Sequence, residues 1–239
     1  MAILVKTVAV NTTKDCGHGM RRWVVAEALL SDILSGAYRA GQRLVIKELS
    51  DRFNVSSTPI REALVQLEGV GIIEFAPNRG AIVRAVTVQD VREISSVRRV
   101  LECEATASAA GRINLTQLHD LAAKFSKMIN AKRHGLSFVE NARKFDSQLH
   151  DLIARSCDNR FLANEIERLK LLFRALRDAS WETELAEDET YRFAEEAQEH
   201  LEIVEALITG DSDKASAAMS RHIAAGVKYW GRGVPIKQQ

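Results

Sequence analysis

Four side chains with metal-binding chemistry fall on the apolar stripes of three predicted helices in the second half of the sequence: Asp146, His150, His200 and His222. Asp146 and His150 are four residues apart, so they share one helix face, which also carries Leu149. Burying ionisable groups is unfavourable unless they pair with each other or bind a cation. Two interpretations are therefore open. Either the histidines are core residues that hydrogen-bond to Asp146 and to water, or all four side chains hold one divalent metal ion.

The elements that must position these side chains are helices. Beyond Arg84, apolar residues recur with a period of 3.6, and the links between the periodic segments are short. Helices are predicted at 87–111, 114–134, 137–157, 159–180, 186–209 and 211–229. Thr87 and Asp90 have the spacing of a capping box at the start of the first helix. Residues 87–230 are thus predicted to form an all-α bundle of about six helices, followed by a tail at 231–239. The other three histidines, His18, His119 and His134, fall in loops or on polar faces.

The first half of the sequence has a different organisation, in which residues 45–73 predict two short helices joined by a tight turn at 54–56. The second helix opens at Ser56, a residue type that caps helix amides, and Pro59 is tolerated in its first turn. Its apolar positions repeat at helical spacing: Ile60, Ala63, Leu64 and Leu67. Thr58 and Arg61 lie off this stripe and face outward. Such a polar face suits the DNA major groove, although an ordinary helical hairpin has the same pattern.

A small hairpin is predicted directly after these helices. Residues 72–75 and 81–84 are predicted strands, and the turn between them carries Arg79 and Gly80. Together with an amphipathic helix at 23–34, the pattern predicts a winged helix-turn-helix domain over residues 21–86. Residues 1–20 have little pattern and are expected to form an N-terminal arm. The predicted fold class is therefore mainly α, with an N-terminal winged helix-turn-helix domain and a C-terminal all-α bundle.

Composition and charge narrow the function classes. The 239 residues carry a net charge of +1, with 11 Lys and Arg against 8 Asp and Glu in residues 1–84 and 22 against 24 in the remainder. A weak basic bias in the first segment is typical of a domain that makes a limited set of phosphate contacts. Three cysteines without a CxxC pair argue against a disulfide framework. No apolar run has the length of a membrane span and no signal peptide is convincing, so a cytoplasmic location is expected.

Three segments of the first domain resemble the DNA-binding domain of the GntR family of bacterial transcription regulators. They are SGAYRAGQRL at 35–44, KELSDRFNVSSTPIREALVQLEGVGII at 47–73 and NRGAIV at 78–83. The resemblance implies a set of DNA-contacting positions: Lys47, Ser57, Thr58, Arg61, Arg79 and Gly80. The family usually has Arg where this sequence has Ser57, which is too short for the bidentate contact that Arg makes with guanine. Ala40 and Val45 replace a usual Pro and a usual capping residue, which should lower local stability without changing the fold.

The helical half is similar to the FCD type of effector domain found in the same family. That type carries D-x-x-x-H followed by one His on each of two later helices, and this chain matches it with Asp146, His150, His200 and His222. The resemblance implies that these residues bind a divalent metal, and three imidazoles with one carboxylate suit Zn, Ni, Mn or Fe. The segment VRRVLE resembles the family's R-x-x-L-E, which implies that Arg98 holds an effector carboxylate as a fork.

The resemblance as a whole implies a regulator of transcription rather than an enzyme. It implies a homodimer on a palindromic DNA operator, with a small carboxylate effector that binds the metal and changes operator affinity by shifting the spacing of the two DNA-binding heads. A second interpretation is a metal-dependent hydrolase or lyase fused to a winged-helix head, since an open metal site can activate water. No residue beyond the four ligands stands out as its general base. A third interpretation, a DNA-bound structural protein without a ligand, gives the buried Asp and His residues no purpose.

Overall fold

The structure, a computed structural model, describes residues 18–131, 136–186 and 191–230. The chain divides into two compact units between Val86 and Thr87. Most of the predicted N-terminal arm, His134 and the predicted tail at 231–239 lie outside the described residues. Helices predominate in the residues that are described, and the fold class predicted from the sequence is confirmed.

The first unit contains three helices and three short strands among its described residues. In chain order they are α1 (His18–Leu34), β1 (Arg43–Leu44), α2 (Ile46–Phe53), α3 (Ser57–Gly69), β2 (Ile73–Ala76) and β3 (Gly80–Val83). The strands form an antiparallel sheet in the order β1-β3-β2. This is a winged helix-turn-helix arrangement in which β2 and β3 form the wing. Strand β1 is absent from the prediction because two residues are too few to show a period-2 pattern.

The apolar stripe of α3 closes the core of the first unit. All four predicted stripe residues are fully buried: Ile60, Ala63, Leu64 and Leu67. Asn54 makes the turn after α2 in the left-handed backbone region, with φ 52° and ψ 45°. The predicted cap at Ser56 is wrong, because the exposed Ser56 side chain stands at the N-cap position without a capping hydrogen bond. The first turn of α3 therefore keeps backbone N–H groups that no Ser56 side chain satisfies.

The turn between β2 and β3 requires a residue with a left-handed backbone conformation at the first position of β3. Ala76 pairs with Gly80 at the closed end of the hairpin, and each strand lies one residue from its predicted bounds. Gly80 has φ 75°, which residues with a Cβ rarely adopt, so a glycine is required there. Arg79 is consequently held exposed at the tip of the wing.

The second unit is the predicted bundle, with six helices among its described residues. They are α4 (Val88–Ala109), α5 (Leu115–Ile129), α6 (Leu136–Ser156), α7 (Arg160–Ala186), α8 (Tyr191–Ile208) and α9 (Ser212–Trp230). The predicted capping box opens α4. Thr87 Oγ1 accepts from the backbone N–H of Asp90 at 3.1 Å, and the Asp90 carboxylate accepts from the backbone N–H of Thr87 at 2.7 Å. Asn159 caps α7 by accepting from the backbone N–H groups of Phe161 and Leu162.

Several helix ends differ from their predicted positions. Helix α1 begins at residue 18, so residues 18–20 are helical and do not belong to the arm. Helix α5 ends at Ile129 instead of 134, because the Asn130 side-chain amide donates to the Ser126 carbonyl at 2.8 Å and closes the last turn. Helix α7 continues past its predicted end at 180, since no Gly or Pro interrupts it. Helix α8, predicted from residue 186, is described from Tyr191 onward.

Helix packing in the second unit creates one continuous apolar core. Helix α4 packs against α9, α5 packs against α8, and α6 contacts α4, α5, α7 and α8. Phe125, Phe193 and Leu121 are among its largest fully buried side chains. The inward faces of α6, α8 and α9 border the same part of this core. That packing determines where their polar residues meet.

Candidate metal centre and nucleic-acid interface

The four predicted ligands converge on one point inside the helical unit. Asp146 and His150 come from α6, His200 from α8 and His222 from α9. One potential ligand atom from each residue lies within 4.8 Å of all the others. Asp146, His200 and His222 are buried, and the His150 side chain is 11% exposed. The structure thus brings together every residue that the sequence assigned to a metal.

His222 is held by a partly buried ion pair between Arg192 and Glu199. Its Nδ1–H donates to Glu199 Oε2 at 2.9 Å, which leaves Nε2 for the centre of the cluster. Glu199 also accepts from both terminal nitrogens of the buried Arg192, at 2.9 and 3.3 Å. Burial, together with the neighbouring His200 and Arg98, lowers the pKa of His222 well below its ordinary value. The ring is therefore neutral, as a metal ligand must be.

His150 is held by a second carboxylate, on α4. Its Nδ1–H donates to Glu102 Oε2, while Glu102 Oε1 accepts from Arg98 Nε at 2.7 Å. Burial disfavours the charged form of Glu102, but the adjacent Arg98 guanidinium and His150 outweigh it and lower the pKa of Glu102 to about 2. Glu102 is consequently an anion that positions both Arg98 and His150.

His200 is held by packing. Its ring stacks on Phe125, with centroids 4.9 Å apart and an interplanar angle of 19°. Its Nε2 is fully buried, lies 3.4 Å from Asp146 Oδ1 and makes no hydrogen bond. A buried ring nitrogen without a hydrogen-bond partner is unfavourable, and a bound cation removes that cost.

The arrangement fits a metal ion by the chemistry of its donors. A metal 2.0–2.1 Å from imidazole nitrogens separates tetrahedral ligand atoms by about 3.4 Å, so the four side chains need to contract only slightly. Two of the three imidazoles donate their other N–H to a carboxylate, as metal-ligating histidines commonly do. Three carboxylates lie among or next to the candidate ligands, namely Glu102, Asp146 and Glu199, and Arg98 and Arg192 pair with the first and the last of them.

Glu196 is a further acid at the edge of the cluster, one helical turn before His200. It is buried beside Phe125 and Phe193. Burial raises its pKa to about 7, with Arg192 and His200 opposing the increase and Asp146 and Glu199 adding to it. Glu196 therefore exchanges its proton near neutral pH, unlike an ordinary glutamate.

A small cavity opens beside His150 and Asp146. It has a volume of about 30 Å³, room for roughly one water molecule. Its wall includes three cationic side chains: Arg98, Lys170 and Arg174. Arg174 donates to Asp151 at 2.8 Å and Lys170 lies 3.5 Å from the same carboxylate. Arg98 is buried over the Phe173 ring, 5.6 Å from its centroid, with its fork directed at Glu102 and His150.

Sequence reasoning missed the residues that hold the ligands: Glu102, Arg192, Glu196 and Glu199. Two of them carried a usable signal. Glu102 is the final residue of the R-x-x-L-E segment, and Glu196 is four residues before His200, on the same helix face. Glu199 precedes His200 but contacts His222 on another helix, and no local pattern predicts that contact.

The predicted DNA-contacting residues all lie on the surface of the first unit, separate from the metal cluster. Lys47 lies on α2, Ser57, Thr58 and Arg61 lie on the first two turns of α3, and Arg79 and Gly80 lie at the wing tip; all are exposed. Ser57, Thr58 and Arg61 lie on one exposed face of α3. Val65, which is 58% exposed, lies one turn after Arg61 on the same face. A polar helix face and a basic wing tip are the parts with which winged helices contact DNA.

Comparison with known proteins identifies both units. Residues 23–83 match the model described as bacterial regulatory proteins, gntR family, and residues 93–225 match the model of the FCD domain. The chain belongs to the GntR family of transcription regulators. The transcriptional repressor RspR of Escherichia coli K12 is 30% identical to this GntR protein over 196 residues, 82% of either chain.

Solved structures show the same fold for this GntR protein. Escherichia coli McbR/YncC superposes with a TM-score of 0.68 at 21% identity, covering 89% of this chain and 97% of that one. A Listeria monocytogenes protein, Lar, described as controlling expression of the agr system, gives a TM-score of 0.56 at 18% identity, covering 88% and 96%. The GntR and FCD matches confirm the family resemblance drawn from the sequence.

The family assignment decides between the function classes considered from the sequence, a transcription regulator and an enzyme. GntR proteins regulate transcription and bind DNA, and the relatives found are regulators rather than enzymes. The comparisons give no support to a hydrolase or lyase. Among the described residues of this GntR protein, no helix combines the length and apolar character that crossing a bilayer requires.

Proposed function

We propose that this GntR protein is a metal-containing sensor that binds a palindromic operator as a homodimer and changes its operator affinity when a small carboxylate binds. The observation that carries the proposal is the convergence of Asp146, His150, His200 and His222 within 4.8 Å, next to a cavity whose wall carries three cationic side chains beside three carboxylates. A sensor needs a ligand site in one domain and a DNA-binding surface in another, and the two units supply one each. Because the operator is chromosomal, the proposal includes a cytoplasmic location.

The four cluster residues would hold a divalent cation, with Zn, Ni, Mn and Fe all compatible with three imidazoles and one carboxylate. When bound, the metal supplies open coordination positions for an anionic ligand. Glu102 and Glu199 orient two of the imidazoles, and Phe125 fixes the third. These residues hold the donors in place before any ion arrives, which lowers the entropic cost of binding.

The effector is proposed to be a carboxylate because of the cations around the cavity. Arg98, Lys170 and Arg174 border it, and the last two now contact Asp151. An incoming carboxylate can take the place of the Asp151 side chain, since both present the same charge and geometry. The cavity holds about 30 Å³, so an effector must move side chains to enter, and that rearrangement couples binding to a change of state.

A homodimer is proposed because one recognition helix contacts only a few base pairs. Two helices on symmetric half-sites provide the specificity that a chromosomal operator requires. Each subunit is proposed to contact its half-site with exposed residues of α2, α3 and the wing tip: Lys47, Ser57, Thr58, Arg61, Arg79 and Gly80.

The proposal is tested by operator release. Zinc-loaded wild type and Arg98→Ala are bound to a labelled operator, obtained by selection on randomised palindromes, and titrated with a library of small carboxylates. An active carboxylate should release wild type from the operator, and releasing Arg98→Ala should require at least about a tenfold higher carboxylate concentration. Without the carboxylate, Arg98→Ala should bind the operator with nearly the affinity of wild type. Consumption of the carboxylate, or equal release of both proteins, would contradict the proposed sensor.

A further inference from the structure

One ring nitrogen of His150 has a single lone pair for which a hydrogen-bond donor and a metal ion compete. Its Nδ1–H donates to Glu102, so Nε2 is the ring nitrogen that carries the lone pair. That Nε2 lies 3.8 Å from Asp146 Oδ1, on the side of the metal cluster, and 3.3 Å from Arg98 Nη2, which donates to it. A lone pair that accepts a hydrogen bond cannot bind a metal at the same time.

Arg98 is anchored independently of this bond. Its Nε donates to Glu102 Oε1 at 2.7 Å, and its guanidinium lies over the Phe173 ring. The side chains of Arg98 and Glu102 are 6% and 5% exposed. Arg98 can therefore release His150 by a small rotation about its guanidinium while the Nε–Glu102 bond keeps it in place.

Arg98 and His150 also line the neighbouring cavity, together with Glu102 and Asp146. Resting on the proposed function, we infer that metal ligation by His150 and the Arg98–His150 hydrogen bond exclude each other, so that metal binding frees one Arg98 N–H group for a carboxylate. Metal binding then strengthens carboxylate binding at Arg98. Glu102 is the positioning residue that makes the exchange possible.

The first test uses the wild-type protein, labelled with ¹⁵N in arginine and histidine. In the metal-free protein, NMR should show a correlation across the hydrogen bond between Arg98 Nη2 and His150 Nε2, and zinc should abolish it. Acetate, as the carboxylate probe, should then perturb the Arg98 guanidinium signals at lower concentrations in zinc-loaded protein than in metal-free protein. The Arg98 Nε signal should keep its Glu102-bonded position throughout.

The second test measures zinc binding by calorimetry in Arg98→Met, which removes the competing donor. We expect zinc to bind at least about tenfold more tightly than in wild type, since no hydrogen bond must be broken first. Arg99→Met is the matched control, because Arg99 is the exposed neighbour, and its zinc affinity should equal that of wild type.

The outcomes separate this inference from the function on which it rests. Zinc binding with an unchanged Arg98–His150 correlation would overturn the inference and leave the metal sensor intact. An equal acetate response with and without zinc, or equal zinc affinity in all three proteins, would also overturn it. No zinc binding in any of the proteins would overturn both.

Discussion

Each imidazole of the metal cluster is fixed by a different partner. Glu102 holds His150, Glu199 holds His222 and the stacked Phe125 ring holds His200. The two carboxylates have guanidinium partners of their own, in Arg98 and Arg192, so losing one histidine leaves neither as an unpaired buried charge. Single ligand variants should therefore fold, and their defects can be attributed to metal binding.

At this scale we predict that His200→Ala and His222→Ala lose the thermal stabilisation that zinc gives to wild type. A ligand that binds only the native state stabilises it by mass action, by about 2.7 kcal/mol at a concentration one hundred times Kd. Zinc content after dialysis, from mass spectrometry under native conditions, should fall with the stabilisation. Differential scanning fluorimetry with and without zinc provides the second measurement.

The control for these variants is His119→Ala, because His119 is an exposed histidine on α5. It should keep the zinc response of wild type. If wild type retains no metal after loading and all variants melt at the same temperature with and without zinc, the cluster is only a polar core.

Sequence reasoning reached the four candidate ligands but not the residues that contact them. Asp146, His150, His200 and His222 each interrupt an apolar helical stripe, and a family pattern joins them. Glu102 is 48 positions from His150, and Glu199 is 23 positions from His222. These carboxylates meet their histidines only after helices from distant parts of the chain have packed. Periodicity along one helix contains no information on which face of another helix it meets.

At the scale of secondary-structure elements, the sequence pattern predicts the observed α3 more accurately than it predicts the ends of the bundle helices. Its buried stripe and its turn were both predicted, whereas α7 continues past residue 180 and α5 ends before 134. The start of α3 is fixed by a tight turn and a Pro in its first turn. The end of α7 lacks any such signal, and the end of α5 depends on a side-chain bond from Asn130 to a backbone carbonyl.

For α3 we predict that Ser57→Arg gains a preference for guanine in each half-site. Ser57 is exposed on the first turn, and Arg bidentate to guanine contributes about 1–3 kcal/mol of discrimination. Binding selection on randomised palindromes, run for both proteins in parallel, measures the change. The same selected sequences from both would place residue 57 away from the bases.

Alanine variants of two other arginines should distinguish operator-specific DNA binding from binding to DNA of any sequence. Arg61→Ala, on the exposed face of α3, is expected to abolish the preference for operator over random DNA. Arg79→Ala, at the wing tip, should weaken binding to all sequences about equally and reduce the slope of affinity against salt. A sequence-dependent loss in Arg79→Ala would show that the wing contacts bases.

At the scale of the whole molecule, the two proposed tasks fall on two compact units. The predicted DNA-contacting residues lie before Val86, and the candidate metal ligands lie after Thr87. In the proposed mechanism, neither unit carries the complete regulatory function. The proposed dimer adds a second requirement, since the two copies of α3 must meet half-sites on the same side of the DNA.

We predict that operator affinity depends on the helical phase between half-sites. Inserting 5 base pairs between them turns the second half-site to the opposite side of the duplex, and affinity should fall by about a hundredfold. Inserting 10 base pairs restores the phase and is the matched control, with a smaller loss expected. Affinity equal to that of a single half-site in every case would contradict the dimer, as would a monomer in sedimentation experiments at the concentrations used.

The lone pair of His150 that Arg98 occupies has a consequence for the cell. If metal binding frees an Arg98 N–H group for the effector, the proposed sensor needs more carboxylate when the metal is scarce. A bacterium starved of the metal would then respond more weakly to the same carboxylate concentration. Growth in chelator-treated medium should reproduce the transcriptional phenotype of Arg98→Ala, although the effector is present in full.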